Sequence, residues 1–377
     1  MENNNMMGLV FSGNPEVNLG EIMKVRSLAA VPVGGKYRII DFVLSNMVNS
    51  GIANVGIITG GKNRSLSDHI GSGKAWDMAK KETGLFFLPV SEASSGAIKS
   101  FNGIDLINSA MSFLERARQE YVLVCDCNIV CNINFENVME FHKQHDADIT
   151  VVYSDVGELS SDRLKSSVLL DVDEDGRVGD VQVNPLRQKL KKDYMHMFLL
   201  KKDLLIDIVG DCLAHNKHSI EKNILLACVD RLKIFGYRFD GYHKAINSIL
   251  SFFEFNLDLL SPQIQSELFG TDTERAIMTK VKDSVPTRYG TEAEVKNSVV
   301  ADGCSIEGKV ENCVIFRGVK VGKDSVVRDS VIMQNSRIMD NCKVENSIFD
   351  KEVILLSGKK LIGQQTYPLV IGKRTIV

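Results

Sequence analysis

The sequence predicts an α/β domain built on a mostly parallel sheet, followed by a left-handed parallel β-helix. Three observations carry that expectation. From residue 7 to about 250, short apolar runs alternate with longer segments whose apolar residues fall at helical spacing. From about residue 295, small residues are followed two places on by an aliphatic or aromatic one, in a short repeat. The chain has 377 residues, more than one core usually serves, so two domains are the default.

Met7-Gly8-Leu9-Val10-Phe11 reads as a buried strand, as do Val55-Gly56-Ile57-Ile58-Thr59, Tyr121-Val122-Leu123-Val124 and Ile149-Thr150-Val151-Val152-Tyr153. Between them, Asp41 to Ser50, Ile104 to Arg118 and Phe135 to His145 carry the helical period. Strands alternating with helices imply βαβ units and parallel pairing. Ligands of such sheets sit beyond the carboxyl ends of the strands, which points to the loops after Phe11, Thr59 and Val124. In the C-terminal part the pairs are Cys304/Ile306, Cys313/Ile315, Ser325/Val327, Ser330/Ile332, Ser336/Ile338, Cys342/Val344 and Ser347/Phe349. Over the last five pairs the step is five or six residues, a hexapeptide rhythm whose coils point aliphatics inward and turn at small or polar corners. A β-sandwich would want longer strands and turns 8–12 residues apart. The expected division is 1–261, a connecting segment at 262–294 punctuated by Pro262 and Pro286, and the β-helix at 295–377.

Net charge is −3 and the basic residues are scattered, so nothing argues for nucleic acid. No run of about 18 apolar residues suggests a membrane span, and the first residues do not read as a signal peptide. The expectation is a cytoplasmic protein. Eight cysteines include Cys125, Cys127 and Cys131 but no C-x-x-C pair, so they read as small buried hydrophobes. His69, His142, His145 and His243 share no metal spacing; two on one helix without a third ligand read as surface. Trp76 reads as core or interface.

One block is far more specific. Gly34-Gly35-Lys36-Tyr37-Arg38-Ile39-Ile40-Asp41-Phe42, followed by Leu44-Ser45-Asn46 and Asn49-Ser50-Gly51-Ile52, resembles glucose-1-phosphate adenylyltransferase, also called ADP-glucose pyrophosphorylase. Ile70-Gly71-Ser72-Gly73-Lys74-Ala75-Trp76-Asp77 is similar to the family's bacterial G-x-G-x-x-W-D segment, and Asn256-Leu257-Asp258-Leu259 to the helix closing its catalytic domain. The resemblance covers the whole chain and implies a nucleotidyltransferase-type, Rossmann-like domain before the β-helix. Such enzymes join glucose 1-phosphate to ATP, releasing pyrophosphate, by in-line attack on the α-phosphorus. Positioning, cations and Mg²⁺ do most of that work.

Against that family the catalytic equipment reads as dismantled. The phosphate loop G-G-x-G-x-R-L places its arginine on Asn18 and its glycines on Gly13, Asn14 and Glu16, with no neighbouring register recovering the motif. Pro15 removes an amide donor and Glu16 adds a negative charge where phosphates should lie. The lysine of R-A-K-P-A falls on Leu28. G-T-A-D-A becomes Gly96-Ala97-Ile98-Lys99-Ser100, and the lysine of E-K-P falls on Asn184. Of two Mg²⁺-binding aspartates, one corresponds to Asp126 and the other to Ala245. A hard cation held by one carboxylate would be weakly retained.

The resemblance therefore implies no catalytic residues, a vestigial metal ligand at Asp126, and residual effector or phosphate contacts at Lys36, Arg38 and Lys99. Lys36 and Arg38 could equally serve the fold through Asp41. Lys99 and Lys244 could keep the former pocket electropositive or simply be solvated, and Lys373-Arg374 reads as a solvated tail rather than an effector or subunit contact. The expected role is that of the GlgD-type regulatory subunit. It would need no cofactor itself and would assemble, as a hetero-tetramer, with a catalytic subunit that uses Mg²⁺; alone it could form homo-oligomers. A phosphorylated sugar is the expected effector. Competing readings are a divergent active adenylyltransferase, a partner-free ligand sensor, and a hexapeptide acyltransferase, the last opposed by the absence of any histidine after His243.

Overall fold

The computed structural model describes residues 5–14, 17–79, 83–90, 103–270 and 275–377. They form two compact units, one drawn from Met1–Glu16, Val43–Asn63 and Gly71–Gly241, the other from Val17–Phe42, Arg64–Ile70 and Tyr242–Val377.

The first unit is built on a nine-stranded mixed sheet. Strand Met6–Phe11 lies at its centre, parallel to Val55–Thr59 on one side and to Tyr121–Asp126 on the other. Leu85–Pro89 extends the sheet in parallel beyond Val55–Thr59. Every residue of Met6–Phe11 and Val55–Thr59 is buried, as continuous apolar runs covered on both faces should be. The long strand Lys192–Lys201 runs antiparallel to Tyr121–Asp126, to Ile149–Asp155 and to Val168–Val172. That reversal carries the chain away from a purely parallel fold. The helical run expected from Ile104 to Arg118 is two helices, Gly103–Ser109 and Met111–Arg116. The Ser109 hydroxyl donates to the Leu106 carbonyl at 2.6 Å, a local bond that competes with the helical ladder.

Two further expectations meet different outcomes here. His142 is not on the surface: it is 2% exposed on helix Phe135–Gln144, its Nδ1 2.8 Å from the Thr150 hydroxyl of the neighbouring strand. Burial pulls its pKa down to about 4, so the buried imidazole is neutral. Trp76 is fully buried.

The second unit contains the β-helix. Its three five-stranded parallel sheets run from Arg288–Tyr289 to Ile354–Leu355, from Glu294–Lys296 to Lys360–Ile362, and from Val299–Val300 to Leu369–Ile371. The segment 262–294 opens with helix Pro262–Phe269 and already holds the first of these strands, Arg288–Tyr289, with the second starting at its last residue. Inward aliphatics such as Ile306, Val321 and Ile338 stack one above another and are buried.

The small residue of a hexapeptide pair also bonds the next coil. Ser325 Oγ accepts from the Cys342 amide at 2.9 Å and donates to the Met339 carbonyl at 2.6 Å. Ser336 Oγ accepts from the Val353 amide at 3.2 Å and donates to the Asp350 carbonyl at 2.9 Å. Cys304 and Cys342 place their sulfurs 3.1 and 3.2 Å from the carbonyls of Phe316 and Leu356. All eight cysteines are free and buried. Coil corners turn through left-handed residues, as in the column Asn297, Asn312, Asp329 and Asn346, the types that tolerate positive φ best after glycine. Gly308 sits where coils touch: a Cβ there would lie 2.4 Å from the Ser325 carbonyl oxygen.

Within this unit Arg26, 2% exposed, is locked to Asp350 by two parallel bonds of 2.8 and 3.0 Å. Asp350 is fully buried in the β-helix. Removing one partner of such a pair strands the other charge, at a cost of about 3–5 kcal/mol. Asp350→Asn is therefore expected to destabilise the protein by that amount in chemical denaturation, and Arg26→Met with Asp350→Leu by much less. Equal losses from the single and double changes would show that the pairing is not what holds this segment.

Candidate functional site

A cavity of about 300 Å³ opens in the first unit beyond the carboxyl ends of its central strands. Its wall includes Phe11 and Asp126, the last residues of adjacent parallel strands, where α/β sheets place ligands. Asp126 is 8% exposed, and its Oδ2 accepts a 3.1 Å bond from the Asn14 amide nitrogen. Asn184 also lines the cavity. It stands at the end of strand Val178–Val183 in a left-handed conformation, φ +53°, with its own amide bonded to the Ser167 carbonyl.

Two residues that no sequence motif marks complete this wall. His196 interrupts the apolar strand Lys192–Lys201 with φ +51°, where the pairing to Ile149–Asp155 slips between Tyr194 and Phe198. A non-glycine residue held there is strained by about 1–3 kcal/mol, a condition that clusters at functional sites. Its Nδ1 lies 3.9 Å from Asp126 Oδ2 and 3.8 Å from Glu221 Oε1. Glu221 begins a π-helical segment, Glu221–Leu226, a geometry frequent at functional sites, and its Oε2 accepts from the Ser219 hydroxyl at 2.9 Å. Lys222 lines the same cavity. The one signal in the sequence is a lone histidine within the otherwise apolar run Tyr194-Met195-His196-Met197-Phe198.

Of the two metal-binding positions that the resemblance implies, Asp126 carries a carboxylate and Ala245 only a methyl. Asp126 is engaged by Asn14 and faced by a histidine, and no group of three acidic, histidine or cysteine residues able to hold a metal occurs among the described residues.

The second unit concentrates positive charge. Arg38, Arg26 and Lys282 all lie close enough to Lys351 to lower its basicity, and Arg38, Arg317 and Lys280 do the same to Lys282. Burial first, then Arg38 and Arg26, pulls the Lys351 amine down to about 7. Arg38 falls to about 10, chiefly through burial. Arg317 Nε lies 3.8 Å from Asp302 and has no hydrogen bond of its own.

The retained sequence block forms one edge of this region. Gly34 and Gly35, both at positive φ, turn the hairpin Pro32–Val33 to Tyr37–Arg38, and helix Ile39–Asn49 follows. Asp41, fully buried in its first turn, accepts the Arg38 amide at 2.9 Å and the Thr279 hydroxyl at 2.6 Å. Its other oxygen is 2.6 Å from His69 Nε2. Burial lowers the His69 pKa, with Asp41 opposing the shift. The Arg38 guanidinium donates to the carbonyl and hydroxyl of Ser65 at 2.6 and 2.9 Å.

Asp126 and Asn184 thus line the cavity of the first unit, while Asn18, Leu28, Lys36, Arg38 and Ala245 belong to the second. Asn18 is exposed and caps its own turn through the Gly20 amide; Leu28 is fully buried. Lys36 is exposed, its ammonium 5.1 Å from the Tyr37 ring centre. Lys244 is met by Glu254 at 2.9 Å and Asp258 at 3.3 Å, so its charge is compensated. Pro15, Glu16 and Lys99 lie outside the described residues.

Residues 19–231 match the Nucleotidyl transferase family, and residues 282–366 match the GlmU-like C-terminal hexapeptide family. A glycogen biosynthesis protein GlgD from Bacillus subtilis (strain 168) is 32% identical over 99% of this chain and 97% of its own length. The GlgD of Geobacillus stearothermophilus is 35% identical over 86% and 83%. A glucose-1-phosphate adenylyltransferase from Clostridium perfringens (strain SM101 / Type A) is 31% identical over 100% and 97%.

The cationic cluster makes a pH-dependent prediction. Lys351 carries its charge below about 7 and loses it above, so an anion held there should bind progressively more weakly as pH rises through 7. Sulfate, whose charge is constant over that range, is the probe for calorimetry, and Lys351→Met should flatten the profile. Stability moves the other way: the unfolded lysine binds its proton up to about 10.4. The contribution of Lys351 is therefore present above that value and is lost as pH falls toward 7.

Proposed function

Because the chain belongs to the bacterial glucose-1-phosphate adenylyltransferase family of glycogen biosynthesis, which includes both the adenylyltransferases and the GlgD proteins, we propose that it is a catalytically impaired regulatory subunit. It assembles with a catalytic subunit that makes ADP-glucose from ATP and glucose 1-phosphate with Mg²⁺, and it modulates that partner's rate or activator response.

The observation that carries this reading is the charge of the first-unit cavity. Asp126 and Glu221 face it, against Lys222, and an asparagine stands where the resemblance places a phosphate-holding lysine. A carboxylate about 4 Å from a phosphate opposes it by roughly 1 kcal/mol in water and about 4 kcal/mol at a protein surface. Losing one transition-state donor typically costs about 10²–10³-fold in rate, so several losses together approach background.

The cationic cluster of the second unit supports the regulatory half of the reading. Arg38, Lys282, Arg317 and Lys351 converge with Asp350 already committed to Arg26, which leaves an excess of positive charge suited to a phosphorylated sugar effector. Partner assembly and effector binding would then be coupled through an interface, the kind of bistable element that transmits such effects.

Pyrophosphate release from ATP and glucose 1-phosphate with Mg²⁺ tests the reading, using this chain alone, the host's catalytic subunit alone, and the co-expressed pair. The expected result is a rate near background for the chain alone and an altered rate or activator response for the pair. Robust turnover by the chain alone would sink the proposal and make the chain a divergent adenylyltransferase.

A further inference from the structure

Between Arg275 and strand Arg288–Tyr289, residues 276–287 of the second unit form neither helix nor strand. The place of this strap therefore depends on anchors rather than on a ladder of backbone bonds. Ile277 is buried at its start. The Thr279 hydroxyl donates to Asp41 Oδ2 at 2.6 Å, and the Lys280 ammonium to the Asp68 carbonyl at 2.7 Å. At the far end the Thr287 hydroxyl donates to the Ala301 carbonyl at 2.8 Å and accepts from the Cys304 amide at 3.2 Å. Residues 281–286 between those anchors are exposed, and Lys282 is one of them.

Among the described residues, the Lys282 ammonium makes no ion pair or hydrogen bond. It lies instead among like charges, with Arg38, Arg317 and Lys280 all acting on it. A cation placed beside other cations is repelled by them, so its place is imposed by the backbone that carries it.

One buried atom imposes it. Asp41 Oδ2 accepts both the Thr279 hydroxyl and, at 2.9 Å, the Arg38 amide. The strap that carries Lys282 and the hairpin that carries Arg38 are pinned to the same oxygen. The other oxygen, Oδ1, lies 2.6 Å from His69 Nε2, which opposes rotation of the carboxylate. An O–H···O distance of 2.6 Å falls in the range of charge-assisted bonds, which are roughly twice as strong as neutral ones. Asp41 is fully buried, so bulk water does not readily replace a donor lost here.

We propose that Thr279 is a positioning residue for the cationic cluster. By sharing one Asp41 oxygen with the Arg38 amide, it holds the strap where Lys282 stands beside Arg38, and so sets the cluster's affinity for a phosphorylated anion. The inference rests on the reading of that cluster as an effector site, and it adds what holds the site together. Thr279 does not touch the anion; it acts through Lys282. Release of its hydroxyl from Asp41 frees the strap between Ile277 and Thr287, and the cluster loses one cation.

Calorimetry with sulfate on the full chain provides the test, using Thr279→Val, Thr279→Ser, Lys282→Met and the double variant Thr279→Val with Lys282→Met. Lys282→Met is expected to weaken sulfate binding about three- to fivefold, the weight of one partly exposed ion pair. Thr279→Val keeps the shape, removes the hydroxyl, and should weaken binding by a similar factor. Thr279→Ser restores the hydroxyl and should recover the affinity. The double variant should bind no more weakly than Lys282→Met alone, whereas a merely structural role for Thr279 would give an additive loss. Hydrogen exchange supplies a readout free of ligand: Thr279→Val should raise exchange at 276–287 and leave the β-helix strands protected. If Thr279→Val loses that protection as well, Thr279→Cys, a weaker donor, takes its place and should give an intermediate loss of affinity.

Unchanged affinity in Thr279→Val would overturn the proposal. So would a loss as large in the Lys282→Met background as in the wild type. Those failures are separable from failure of the effector reading. Sulfate binding by the wild type that ignores Thr279 removes only this inference, whereas no sulfate binding by the wild type removes the effector reading and this inference with it.

Discussion

A guanidinium only 2% exposed persists only if its charge is met, and in the second unit Asp350 meets that of Arg26 with two parallel bonds. The idealised cost of taking either ion alone out of water is on the order of 20 kcal/mol, several kcal/mol after relaxation, so the pair forms together or not at all. The residues around it depend on that. Lys351 follows Asp350 directly in sequence and donates its backbone amide to the same carboxylate at 2.7 Å. Arg26, once neutralised, contributes less repulsion to Arg38 and Lys351 than a bare guanidinium would. A cluster of cations is tolerable because its most buried member is paired.

The two units carry opposite electrostatics, and the contrast bears on function more than any single substitution. The cavity of the first unit is lined by the carboxylates of Asp126 and Glu221, His196, the amides of Asn14 and Asn184, and Lys222. The cluster of the second unit is basic and half-buried, and favours ligands that accept hydrogen bonds. An adenylyltransferase needs cations where its phosphates lie. Among the described residues Lys222 lines the strand-end cavity, whereas Arg26, Arg38, Lys282 and Lys351 gather beside the retained Gly34–Phe42 block.

Much of the fold was legible because it rests on period. Continuous apolar runs such as Val55–Thr59 admit only a strand buried on both faces, and the paired small and aliphatic residues of the C-terminal part admit only short stacked strands. The same pattern could not reveal that Ser325 and Ser336 bond the next coil, because the partner amides lie 17 residues on in sequence and become neighbours only through the length of a coil. His142 reads as a polar residue on an amphipathic helix, yet Thr150 on the next strand gives it a buried partner. Ile104 to Arg118 has helical spacing throughout, yet the helix breaks at Ala110, next to a Ser109 hydroxyl that bonds the Leu106 carbonyl.

The candidate sites divide along the same line. Residue identity alone decided what is missing: an asparagine at 184 and an alanine at 245 cannot supply an ammonium or a carboxylate in any conformation. It also marked Gly34–Phe42 through its resemblance to the adenylyltransferase family, while the left-handed turn of Gly34 and Gly35 emerged only in the fold. Only tertiary structure decided what remains. His196 and Glu221 are separated in sequence, and a bulged strand and a π-helical segment bring His196 within 4 Å of both Asp126 and Glu221. Arg26, Arg38, Lys282 and Lys351 come from three distant stretches, and their charges interact only because the β-helix folds them together. Sequence states which groups exist; distance, burial and dielectric determine what they do to one another, and those three quantities exist only in the folded chain.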